Sequence, residues 1–183
     1  MRLAWLISVL GWSMIFSGLL FVPKTSAEPN ATSIEYKLKA VFLLNFAKFI
    51  EWPDQAFSDK ASSIVICIVG KDPFGGLIEE VVKGETVQNR ALEIKRLSLE
   101  QDLRACHIAF FSRSTASQLA KVLPGLRDSH TLTVGEMEDG FIQQGGVMNF
   151  VLVDQKVRFE VNPAAIQTNL KISSKLLALS YKR

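Results

Sequence analysis

Residues 36–53 read YKLKAVFLLNFAKFIEWP. How this run is read decides the fold. It is apolar enough to suggest a membrane segment, yet lysines and an asparagine interrupt it. On a helical wheel Lys37, Lys48 and Glu51 cluster on one narrow side, while Leu38, Phe42, Phe46, Phe49 and Ile50 fill a broad apolar arc. The uninterrupted apolar part is too short to span a bilayer, and Asn45 and Lys48 would be costly inside one. A surface anchor would carry more lysine on a wider polar face. The pattern therefore predicts a largely buried core helix over 34–50, ended by Trp52-Pro53, because Pro53 disfavours helix at its neighbour. The width of the arc leaves open that part of it faces a partner. Residues 28–33 (EPNATS) are polar and read as a flexible lead-in.

Ahead of them stand a basic Arg2, an apolar stretch over 3–22 and the small residues Thr25-Ser26-Ala27. That is the pattern of a secretory leader with cleavage after Ala27. An uncleaved anchor is the rival, since the apolar stretch is long enough for a bilayer. Pro23 and the polar residues before Ala27 favour cleavage. The expected layout is a signal peptide over 1–27 and one domain over 28–183, because 183 residues hardly suffice for two. Losing Arg2 and Lys24 leaves 19 basic against 18 acidic residues. The basic character is thus no argument for nucleic acid, and no aromatics alternate with basic residues along a strand. The two cysteines, Cys67 and Cys106, would meet an oxidising compartment. An even count there invites a disulfide; two buried free thiols are the alternative.

Residues 64–69 (IVICIV) form a continuous β-branched run, as in a strand buried on both faces of a parallel sheet. Asp72 with Pro73 reads as the N-cap and first position of a helix ending near Lys83-Gly84. Residues 91–97 alternate and read as an edge-like strand, and 107–111 (HIAFF) as a buried one. A helix over 114–123 capped by Ser114 and stopped at Pro124-Gly125, a strand over 131–134 and a short helix over 136–144 follow. VMNFVLV and VRFEV flank Asp154-Gln155-Lys156 as a hairpin, Pro163 opens a helix, and 173–182 is a last helix capped by Ser173 or Ser174. The alternation predicts an α/β fold: an open, mostly parallel sheet with an antiparallel edge hairpin and helices on both faces. A flavodoxin-like order, 2-1-3-4-5 plus the hairpin strand, is expected.

Chemical motifs are sparse. The turn at 70–76 lies where open α/β sheets bind ligands, but it fits neither a dinucleotide fingerprint nor a P-loop, and Asp72 would repel a phosphate. Cys106 and His107 are adjacent on a strand and point to opposite faces, so they cannot form a nucleophile–base pair. Two histidines and two cysteines offer little to a zinc site, and no serine sits in a nucleophile elbow. Glu79-Glu80 and the Glu136/Glu138/Asp139 group read as helix first turns and solvated faces. No catalytic residue, metal or cofactor is assigned. In the hairpin, Val157, Phe159 and Val161 share one face and Arg158 and Glu160 the other, which places Glu160 within a partner's reach. Ile166 lies just beyond Pro163, on a short helix expected to be poorly covered. A periplasmic small-molecule sensor using the crevice at 70–76 and a thiol enzyme at Cys106 are the competing readings.

KAVFLLNFAKFIEWP (39–53), ICIVGKDPFG (66–75), the cysteine opening the strand at 106–111, TLTV, and GGVMNFVLVDQKVRFEVNPAAI followed by LKISSKLLAL (145–179) together resemble the YfiR-type periplasmic repressors, in order and over nearly the whole domain. The resemblance implies an exported, often dimeric regulator with no activity of its own. Such a regulator binds the periplasmic part of an inner-membrane diguanylate cyclase and holds it inactive. An outer-membrane, peptidoglycan-associated lipoprotein can sequester it. The resemblance also implies a Cys67–Cys106 disulfide. A better-known member of that family carries a second cysteine pair; the resemblance sets Ile142 and Asn149 at the matching positions, which implies that this bridge is absent. Its partner surface falls on FEVNPAAI, which carries Glu160 and Ile166 over as partner-binding residues.

Overall fold

A computed structural model of the chain describes residues 30–166 and 170–182. The expected leader, residues 1–27, lies outside them. Asn30 accepts a hydrogen bond from the Ser33 amide and so caps helix α1 (Ala31–Phe49). The helix therefore claims part of the segment expected to be a flexible lead-in. It ends as the chain becomes extended at β1 (Ile50–Glu51) before Trp52-Pro53. Then come β2 (Ile64–Val69), α2 (Leu77–Val82), β3 (Thr86–Val87), β4 (Arg90–Leu97) and β5 (Ile108–Phe111). After these follow α3 (Leu119–Val122), β6 (Leu132–Gly135), β7 (Met148–Val153), β8 (Lys156–Val161), β9 (Lys171–Ile172) and α4 (Ser174–Ala178), which Ser173 caps.

The main sheet has the order β3-β4-β2-β5-β6-β7-β8. Its five central strands are parallel and run in the expected 2-1-3-4-5 order, while β8 returns antiparallel to β7 across a tight turn at Asp154-Gln155. The strand β4 is not the edge: two residues of β3 pair outside it. A second, two-stranded sheet joins β1 to β9 and so ties the end of α1 to the C-terminal segment.

Each face of the main sheet has its own core. On one, α1 lays Leu43, Phe46 and Ile50 on Ile66, Ile108, Phe110 and Val134. Aromatic rings link this layer: Tyr36 meets Phe74, Phe74 meets Phe110, Phe110 meets Phe150, and Phe46 stacks on Phe150 at 5.7 Å. On the other face Val65, Cys67, Val69 and Phe111 are covered by Leu103, Leu119, Leu123 and Phe141. The Cys67–Cys106 disulfide forms within that second layer and joins β2 to the chain entering β5. It closes a separation of 39 residues, and chain entropy alone gives such a bridge about 4 kcal/mol.

Several expected helices are replaced by tighter turns. Asp72 does not cap a helix; its carboxylate accepts from the Phe74 amide in a local turn, and α2 starts only at Leu77. The segment expected to be a helix over 114–123 is 3-10 from Arg113 to Gln118 and again from Leu123 to Leu126, running through Pro124-Gly125. Ser114 caps nothing there; its hydroxyl accepts from the Lys71 amide. Pro163–Ala165 is a single 3-10 turn. Residues 136–144 form no helix. There the Phe141 ring packs so close to Gly146 that a Cβ at that glycine would lie 2.1 Å from it.

α1 departs from expectation in a way that matters. Phe46 and Ile50 are buried, but Leu38 is 45% exposed and Phe49 37%. With Ile34 and Val41 they form an apolar stripe on the outer side of the helix. The helix is apolar nearly all round, and the sheet covers only one side of it. Among the described residues no helix is long and apolar enough to cross a membrane.

His107 shows the second consequence of burial. The Val65 amide donates to its Nδ1 at 3.0 Å, and its ring stacks on Phe57 at 4.5 Å. Burial pushes the imidazole down to about 4; the charges of Arg90 and His130 act the same way, and only the Ala56 backbone opposes them. An unfolded histidine titrates near pH ~6.5. The stability linked to neutral His107 is therefore complete above that pH and is lost as pH falls towards the folded value of about 4. Urea unfolding at a series of pH values should show a fall of up to about 3 kcal/mol over this window. His107→Asn, which keeps an acceptor for the Val65 amide, should flatten that part of the profile.

Candidate functional site

The parallel strands β2, β5 and β6 end side by side, and the residues just past them converge. Glu136 follows β6 directly and is 2% exposed. It was expected on a solvated face, and the structure overturns that. One carboxylate oxygen accepts from Nζ of Lys39 at 2.8 Å. Lys39, also 2% exposed, reaches back one helical turn to Glu35 as well. Its ammonium lies 4.5 Å from the centre of the Tyr36 ring. The other Glu136 oxygen accepts from the Arg113 amide. Burial first, then the Glu136 charge, pushes the Tyr36 phenol up to about 12, so it stays protonated.

A buried lysine and a buried carboxylate are each costly to desolvate, and they coexist because nearly every polar atom has a partner. Lys39 comes from the first helix and Glu136 from the end of the fourth parallel strand. The pair thus pins α1 to the sheet across 97 positions of sequence. A cavity of about 310 Å³ opens beside it, with Arg113, Phe150 and Leu152 in its wall.

Sequence reasoning passed over both partners. A signal was present: Lys39 lies on the same side of the helical wheel as Leu43, Phe46 and Ile50. A lysine on the inward face calls for a buried acid, and sequence does not say which one.

The other predicted residues lie elsewhere. The β8 alternation holds, with Val157 and Phe159 turned into the α1 core. Glu160 sits on the opposite face, half-buried, and accepts from the Asn149 side-chain amide at 3.0 Å. Asn149 in turn bridges the Met137 amide and carbonyl. Ile166 follows the Pro163–Ala165 turn and packs, half-buried, against the α1-side core. Glu160 and Ile166 therefore do not share a face of the sheet. Cys106 is held in its disulfide, which removes it as a nucleophile. Among the described residues no group of three or more His, Cys, Asp or Glu could hold a metal ion.

Removing one partner of the buried pair strands the other. Lys39→Met should lower the unfolding free energy by about 3–5 kcal/mol, measured by urea denaturation of the oxidised protein. Lys37→Met, on the exposed side of the same helix, should change it by less than about 0.5 kcal/mol.

No curated protein sequence matches this one. The model of one protein family, described as YfiR/HmsC-like, matches residues 36–181, from the first turns of α1 to the tail beyond α4. With that match covering more than half of its length, the chain belongs to the YfiR/HmsC-like family.

Proposed function

We propose that this protein is a periplasmic regulator that binds the periplasmic part of an inner-membrane diguanylate cyclase and holds it inactive, lowering cyclic di-GMP. Family membership over residues 36–181 carries the reading. In it, the leader is removed after Ala27, the domain needs no cofactor and carries no catalysis, and the Cys67–Cys106 bond suits an oxidising compartment. Repression is a population shift: the regulator binds the inactive cyclase better than the active one. About 5.5 kcal/mol of differential affinity suffices to invert such an equilibrium.

The β8–Ile166 segment supplies the cyclase contact, with Glu160 as its charged member and Ile166 as its apolar one. An outer-membrane, peptidoglycan-associated lipoprotein competes for the regulator and so releases the cyclase. The exposed stripe on α1 serves a second copy of the chain. It is nearly symmetric about Val41, with Ile34 and Leu38 on one side and Asn45 and Phe49 on the other. A two-fold axis there sets Val41 on its own copy and Ile34 beside Phe49, the self-complementary arrangement a dimer needs.

Capture from solubilised inner membrane by the oxidised protein should retain a diguanylate cyclase, and deleting the gene should raise cellular cyclic di-GMP. Glu160→Gln removes the charge yet keeps an acceptor for Asn149; Ile166→Ala trims the apolar contact. Each should weaken capture by about threefold to tenfold, or about 0.7–1.4 kcal/mol. Unchanged cyclic di-GMP after deletion would sink the function, and undiminished capture by both variants would place the contact elsewhere.

A further inference from the structure

The crevice at the C-terminal ends of β2 and β5 lies at the topological switch of the sheet. The chain leaves β2 towards β4 on one side and returns to β5 on the other. Connections diverge there and leave an opening, the usual ligand position in open α/β sheets. In this chain the opening encloses about 180 Å³ between the turn at 70–73 and the turn at 112–114.

Its walls are held in place. The Lys71 amide donates to Ser114 Oγ at 2.9 Å, and the Ser112 and Ser114 hydroxyls are 2.8 Å apart. Gly70, at φ +89°, packs so tightly here that a Cβ would meet Ser114 Oγ at 2.6 Å. Backbone and hydroxyls thus fix the distance between the two turns.

The charges in this crevice are unevenly satisfied. Two acids border it, and both are engaged: Asp72 with Nε of Arg96 at 2.8 Å, Glu136 with Lys39. Asp72, which on sequence alone argued against an anion, is neutralised by a residue of β4. The two cations that line the opening, Lys71 and Arg113, form no ion pair among the described residues. Arg113 is anchored through its guanidinium, whose Nε donates to the Glu136 carbonyl. Tyr36 and Pro73 add apolar wall on the helix side.

We propose that this crevice binds a small organic anion, with Lys71 and Arg113 taking its carboxylate or phosphate and Tyr36 and Pro73 its carbon skeleton. Lys71 and Arg113 belong to opposite walls, and an ammonium and a guanidinium together suit a group of several acceptor oxygens. The inference stands apart from the cyclase reading, since it concerns neither β8 nor the outer face of α1. Because Arg113 also holds Glu136, occupancy registers at the buried Lys39–Glu136 pair.

Amide spectra of the ¹⁵N-labelled, oxidised protein, titrated separately with succinate and with inorganic phosphate at constant ionic strength, test it. Saturable shifts are expected at Lys71, Asp72, Phe74, Ser112 to Thr115 and Glu136. The double variant Lys71→Gln/Arg113→Gln, at two exposed positions, gives up the Arg113 bond to the Glu136 carbonyl; it should keep the spectrum away from residues 112–115 and 136 and lose about tenfold or more in affinity. Saturation by succinate alone or by phosphate alone would assign the headgroup class. Shifts that never saturate with either probe, that sodium chloride reproduces, or that persist unchanged in the double variant would overturn the site.

Discussion

The Lys39–Glu136 ion pair is the constraint on which the rest of this structure depends. An ammonium inside a protein layer is tolerated only where its charge is matched and its hydrogens are placed. Glu136, Glu35 and the face of Tyr36 supply that match. The arrangement requires α1 to lie over the ends of the strands at one rotation and one height. That placement in turn seats Phe46 between Phe150 and Phe159 and sets Phe42 against the same pair. Apolar packing alone would fix α1 less firmly, because the helix is apolar on nearly every side and could roll. The buried charge selects which face is inside, and it thereby leaves Ile34, Leu38, Val41 and Phe49 outside.

The opposite layer is held by a different kind of link. The Cys67–Cys106 bond ties β2 to the chain entering its neighbour β5, beneath a cover made of short 3-10 turns. Such turns bury less than a long helix would, so a covalent link there is reasonable compensation. The two layers leave distinct surfaces: the outer side of α1, the β8 edge, and the crevice where the strands end. A regulator that works by association needs surfaces that differ in chemistry, and these three do: one apolar, one mixed, one basic.

Much of this was legible in the sequence because it follows from local pattern. The β-branched run at 64–69 and the apolar run at 107–111 identified buried strands, and the alternation at 157–161 gave the hairpin its faces. The alternation of elements gave the parallel sheet, and the strand order came from analogy with flavodoxin-like folds, which the structure bears out. What was illegible depends on tertiary contacts. The strands β1, β3 and β9 have two residues each and carry no periodic signal. The acids at 136–139 resembled a helix start, yet Gly140 and Gly145 with positive φ and the inserted Phe141 make a turn. Asp72 had the residue type of a cap but is engaged by Arg96, twenty-four positions away. At the candidate site, Cys67, Cys106 and the face of Glu160 could be read, whereas the partnership of Lys39 with Glu136 could not. Burial of a charge is a property of the assembled layers, not of either segment.

The central claim is that α1 belongs to one cooperative unit with the sheet, pinned from inside and not embedded in lipid. Native-state hydrogen exchange of the oxidised protein measures this directly. The account predicts that amides of Leu43 to Ala47 exchange only through the same global opening as those of Ile66 to Ile68, with equal opening free energies and equal denaturant dependence. Exchange of the α1 amides through a separate opening, about 3 kcal/mol or more below that of β2, would contradict it.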